Sequence, residues 1–150
     1  MQAANEHAVR VLNGLIERTL DSANGYREAA EHVDNPSYKS MFAECVDKRL
    51  ALTRQLQAEV RSFGGEPEEG QSLAGKAHNA FVGLKDAVTG GSDKGVINVV
   101  ERGEDVLKAK FESAIDDSKL PPQVQSLVSR LYQEVKADHD QISRIKHSLH

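Results

Sequence analysis

The residues of this sequence best placed to do chemistry are polar side chains embedded in apolar helical stripes near the middle of the chain's long segments. Arg49 and Thr53 lie near the centre of a stripe that also carries Phe42, Cys45, Val46, Leu56 and Val60. Glu104 lies within the stripe of Val96, Val100, Leu107, Phe111 and Ala114. Asp138 lies within that of Val124, Leu127, Leu131, Val135, Ile142 and Ile145. At about 100° per residue all four point inward. Glu134 and His139 fall at the edges of the last stripe, and Thr19 and Ser22 face the same level from the first segment. If the segments pack side by side, these groups meet in one cross-section.

Two chemistries fit such a set. In the first, Arg49 sits between Glu104 and Asp138 as a buried salt-bridge layer, with hydroxyls such as Thr53 satisfying the remaining bonds. Buried charges require partners, and one guanidinium with two carboxylates can close a network. In the second, Glu101, Glu104, Asp138 and His139 hold a metal, with iron the expected ion, acting through bound oxygen or peroxide. A di-iron carboxylate bundle takes one Glu from each of two helices and a Glu-x-x-His from each of the other two. Neither the second nor the fourth segment contains Glu-x-x-His, and the second contains no histidine. A fixed guanidinium at that level also supplies positive charge and fills space. The salt-bridge layer is therefore the preferred reading, the metal centre the alternative, and no cofactor is assigned.

Other residues carry weaker signals. Cys45 is the only cysteine, which excludes an intrachain disulfide and suits a small buried hydrophobe in a reducing compartment. His78 reads as a packed or exposed residue ahead of its alternatives, a ligand or a pH-sensitive latch. His32, His147 and His150 read as surface residues. The acidic run Glu66-Pro67-Glu68-Glu69 reads as a solvated loop, with a partner-binding surface as the other possibility. No phosphate-cradling loop follows a strand, and no nucleophile–base arrangement stands out, so the expectation leans away from an enzyme.

These groups must be positioned by helices, because helical periodicity dominates and no alternating strand pattern occurs. Long helices are expected at about Glu6–Val33, Pro36–Phe63, Asp93–Asp117 and Pro122–Leu149, all within one domain spanning residues 1–150. Asn35 followed by Pro36 caps the second helix, Gly64-Gly65 ends it, and Leu120-Pro121-Pro122 breaks the third from the fourth. Leu73 to Val88 forms a shorter connector helix, closed by Gly90-Gly91. The fold expected is all-α: an antiparallel four-helix bundle of ferritin-like type, with a long crossover containing a short extra helix. At 1.5 Å per residue each long helix covers roughly 40 Å, a span the connector can traverse. A faint repeat relates the two hairpins: Leu15-Ile16-Glu17-Arg18 parallels Val99-Val100-Glu101-Arg102, and at the same offset Asp21 matches Asp105 and Glu28 matches Glu112.

Composition narrows the partners. The 150 residues carry a net charge of −4 with dispersed basic residues, so no nucleic-acid partner is expected. No stretch approaches the ~20 apolar residues of a membrane span. Met1 to Val11 lacks an apolar signal region, so a cytoplasmic protein is expected.

Several segments together resemble a bacterial family of ferritin-like four-helix-bundle proteins of unassigned function. They are Leu12-Asn13-Gly14-Leu15-Ile16-Glu17, Gly25-Tyr26-Arg27-Glu28-Ala29-Ala30-Glu31, and Leu56-Gln57-Ala58-Glu59-Val60-Arg61 with Gly64-Gly65-Glu66-Pro67. Ser72-Leu73-Ala74-Gly75 with His78, Leu84 to Gly90, Glu101-Arg102-Gly103-Glu104-Asp105, Leu120-Pro121-Pro122 and His139-Asp140 extend the likeness over nearly the full length. The resemblance implies a ferritin-like bundle with a stress-associated role and no assigned activity. The expected function is a non-enzymatic structural or interaction protein, with a homodimer among its expected assemblies and an iron-handling or oxidase bundle as the alternative.

Overall fold

The computed structural model describes residues 2–69 and 93–149, with side chains from residue 5 onward. Among these residues there are four helices and no strand: α1 Gln2–His32, α2 Pro36–Ser62, α3 Asp93–Ile115 and α4 Pro122–Ser148. α1 begins earlier than the sequence pattern implies, because Gln2, Ala3 and Ala4 favour helix and nothing before Glu6 stops it. α3 ends at Ile115, short of Asp117, which turns the chain by accepting the amide of Lys119 on its side chain. The expected connector helix at 73–88, with His78 and Gly90-Gly91, lies outside the described residues.

The helix ends are set by local chemistry. Asn35 accepts the Ser37 amide at 2.8 Å and Pro36 opens α2 without a wasted donor. At the other end Gly64 takes φ 76°, a left-handed conformation that side chains resist. Its amide bonds the Arg61 carbonyl at 2.9 Å and the Gly65 amide bonds Val60 at 3.0 Å, so the orphaned carbonyls of α2 are satisfied.

Short links make α1 and α2 an antiparallel hairpin, and α3 and α4 another. His7 on α1 bonds Asp117 just beyond α3, while Ser22 bonds Glu104, so α1 and α3 run in opposite directions. Arg49–Asp138, Gln55–Arg130 and Glu59–Gln123 show the same for α2 and α4. Around the bundle the order is α1, α2, α4, α3, which leaves α2 and α3 on a diagonal. Residues after α2 are held near the start of α1, where Asn13 bonds Glu66 and Glu68 and Gln57 bonds the Glu68 carbonyl. Asp93, which opens α3, sits at the opposite end, accepting the amides of Asp34 and Asn35 at 2.9 and 3.0 Å. The described chain thus leaves one end of the bundle after Glu69 and resumes at the other.

The core divides into two apolar clusters. One gathers Leu12, Leu15, Ile16, Leu56, Phe111 and Leu131 with their neighbours. The other gathers Tyr26, Phe42, Cys45, Ile97, Val100 and Ile142. On α4 the buried stripe runs Val124, Val128, Leu131, Val135, and Val128 takes the inward place that the sequence pattern gives to Leu127, which is half-buried. Between the clusters lies a band of buried polar residues: Thr19, Ser22, Arg49, Thr53, Glu104 and Asp138.

Candidate functional site

Arg49 is the centre of this band and is 0% exposed. It falls on the inward face of α2 together with Phe42, Cys45, Leu52, Thr53 and Leu56, so the helix itself carries the charge into the core. Its Nη2 donates to both Glu104 oxygens, at 3.1 and 3.0 Å, and its Nη1 donates to Asp138 Oδ2 at 2.9 Å. Its Nε donates to Ser22 Oγ at 3.3 Å, and Ser22 in turn donates to Glu104 at 3.4 Å. The Tyr26 ring lies with its centroid 5.7 Å from the guanidinium carbon, within cation–π range. Each of the three guanidinium nitrogens therefore donates to an acceptor, and an aromatic ring lies within reach of the cation.

Asp138 has a second cationic partner. Lys48, the neighbour of Arg49 in sequence, brings its ammonium to Asp138 Oδ1 at 3.2 Å from a half-exposed position. Its charged head reaches from the rim to a largely buried carboxylate. Two cations, Arg49 and Lys48, thus balance two carboxylates, Glu104 and Asp138.

The electrostatics follow from this arrangement. Burial disfavours the charged form of Arg49, but the carboxylates of Glu104 and Asp138 outweigh it and hold the guanidinium even more firmly protonated than usual. Burial, then the charge of Glu104, pushes the Tyr26 hydroxyl well above the ordinary phenol range, so it stays neutral. Burial, then Asp138, pushes the Cys45 thiol up to about 11.

Thr53 lies in the band but donates to the Arg49 carbonyl at 2.8 Å, and Thr19 does the same to Leu15 at 2.7 Å. Both hydroxyls satisfy themselves on their own helix and spend no bond on the guanidinium. Ser22 is the hydroxyl that does.

The candidate metal ligands separate. Glu104 and Asp138 meet on Arg49. Glu101 instead pairs with Lys146 at 2.7 Å, and His139 bonds Asp105 and Asp140 on the outer seam of α3 and α4. Glu134 is exposed and Glu17 is half-buried. Among the described residues no three His, Cys, Asp or Glu side chains form a group able to hold a metal ion. The donor set does not fit a di-iron centre, because the oxygens that would coordinate it are directed at a guanidinium.

Two members of the site were not singled out from sequence. Tyr26 reads as one more apolar residue of its stripe, and only its position one turn after Ser22 hints at the polar level. Lys48 reads as solvated, and its adjacency to an inward Arg49 is the signal that it borders the layer.

No helix among the described residues is long and apolar enough to cross a membrane. The family described as Domain of unknown function (DUF2383) matches residues 7–117, a stretch that contains Ser22, Tyr26, Arg49 and Glu104 but ends before Asp138. No curated protein matches the chain.

Proposed function

We propose that this chain, which belongs to the domain-of-unknown-function family DUF2383, is a ferritin-like bundle that works without catalysis, as a structural or interaction protein. The observation that carries this reading is Arg49. Its guanidinium stands between Glu104 and Asp138 at mid-bundle, where a carboxylate metalloprotein would place its ion. The ferritin-like assignment is supported by the chain leaving the bundle at Glu69 and resuming at the far end at Asp93, as a single long crossover requires. A cytoplasmic setting agrees with Cys45, buried and without a disulfide partner. The stress-associated role, bacterial origin and homodimeric state belong to the same proposal and rest on the resemblance of the sequence segments.

The test is elemental analysis after aerobic loading with ferrous iron and desalting, with Glu104→Ala alongside. The expected result is no stoichiometric iron in either protein, with wild-type helicity unchanged. Stoichiometric iron in the wild type that is lost in Glu104→Ala would overturn the reading in favour of an iron-handling bundle.

A further inference from the structure

A groove of about 260 Å³ lies between the first half of α1 and the last half of α3, away from the buried layer. His7, Arg10 and Gly14 line it from α1, and Lys110, Ser113 and Asp117 from the α3 side. Steps of three and four residues put each trio on one helix face. Because the helices are antiparallel, His7 faces Asp117 at one end and Gly14 faces Lys110 at the other.

Three features give the groove a positive character on a chain whose net charge is −4. Among the described residues neither Arg10 nor Lys110 has a hydrogen-bonding or ion-pair partner. Asp117, the groove's carboxylate, is already engaged: His7 bonds it at 2.7 Å and the Lys119 amide at 3.0 Å. Lys110 crosses beside Gly14: a Cβ there would meet Lys110 Cε at 3.5 Å and its Nζ at 3.8 Å, ordinary contact distances. The ammonium thus lies against the α1 side of the groove. Leu15 and Ala114 supply an apolar floor.

We propose that this groove binds a phosphate-bearing small anion, with Arg10 and Lys110 as its charge partners and Ser113 as a hydroxyl donor. Arg10 offers the forked donors that match a phosphate, and Lys110 adds a point charge. The apolar floor suits the organic part of a phosphate monoester, while free phosphate would use the cations alone. The proposal is independent of the role assigned to the buried layer.

The experiment is a titration of the isotope-labelled full chain with inorganic phosphate and with phenyl phosphate, followed by amide chemical shifts. Saturable shifts confined to residues flanking the groove are expected. In Arg10→Gln/Lys110→Gln the affinity should fall about tenfold or more, as loss of a charge-assisted bond implies. Lys94→Gln/Arg144→Gln, which removes the same charge from exposed positions elsewhere, should bind as the wild type does. Tighter binding of phenyl phosphate identifies an organic phosphate as the ligand; equal binding identifies free phosphate. Non-saturating shifts with both probes, or an equal loss in the two double variants, would overturn the site.

Discussion

Arg49 on α2 meets Glu104 on α3 through both carboxylate oxygens, at 3.1 and 3.0 Å, across the diagonal of the bundle. Neither side chain is exposed. The contact joins helices that otherwise hardly touch, and with Asp138 on α4 and Ser22 on α1 it links all four helices through one guanidinium.

Removing the guanidinium alone should be costly. Arg49→Leu leaves Glu104 without its cation in the core, a loss of ~3–5 kcal/mol, or roughly 10 °C in melting temperature for a chain of this size. The combined variant Arg49→Met, Glu104→Leu, Asp138→Leu should recover most of that loss, because no uncompensated charge remains. Thermal melts followed by circular dichroism check both. A single variant as stable as the wild type would show that the layer contributes nothing.

Cys45 should be inert in the folded protein. With its thiol pushed up to about 11 by burial and by Asp138, only on the order of 0.1% is thiolate at pH 8. Labelling with an aromatic disulfide reagent should proceed slowly in buffer and at the ordinary thiol rate in denaturant. Rapid native labelling would contradict the burial of this face of α2.

Acid should destabilise the bundle below the usual carboxylate range. At Glu101, partial burial pushes the carboxyl up, but the bond and charge of Lys146 outweigh it and hold it low. Asp117 is held low by His7 and the Lys119 amide, Asp140 by Lys136 and His139. A depressed folded-state value gives stability that is complete above the unfolded value, about 4, and is lost as pH falls through the folded value. Melting temperature should therefore drop as pH is lowered beneath about 4. Glu101→Gln should reduce the steepness of that drop.

The two glycines after α2 should respond differently to alanine. At Gly65 a Cβ would stand 2.8 and 2.9 Å from the two Val9 methyls and 3.1 Å from Val60, and the branched Val9 has little freedom to yield. A cost of about 1–3 kcal/mol follows from overpacking. At Gly64 there is open space, but the φ of 76° opposes any side chain, at ~1–2 kcal/mol. Replacing Val9 by Ala should rescue Gly65→Ala and leave Gly64→Ala unchanged, as chemical denaturation would show.

Much of the fold was readable because its punctuation is local. Asn35-Pro36, Gly64-Gly65 and Pro121-Pro122 mark ends that owe nothing to distant residues, and α2, α3 and α4 begin at the expected residues. The inward positions of Arg49, Glu104 and Asp138 were readable as well, since each falls within the apolar arc of its helix. Arg49 meets the two carboxylates that the stripe pattern pairs with it, Glu104 and Asp138; what was not readable was where the residues bordering the layer find their partners. His139 and Asp138 are adjacent, and a rotation of one residue decides that Asp138 enters the core while His139 turns to Asp105 on the outer seam. Glu101 and Glu104 are separated by one turn, yet Lys146 draws the first outward. The clamp of Asp93 on Asp34 and Asn35 left no trace in periodicity, because it depends on how two distant ends of the chain come together.

The buried layer is also divided between the two hairpins by sign. The α1–α2 hairpin brings Arg49 and Lys48, and the α3–α4 hairpin brings Glu104 and Asp138. Two copies of the first hairpin would set arginine against arginine in the core, and two copies of the second would set carboxylate against carboxylate. Each half is thus complementary to the other and repelled by itself. The layer acts as a matching code that opposes the pairing of like hairpins, whether they come from one chain or from neighbouring chains.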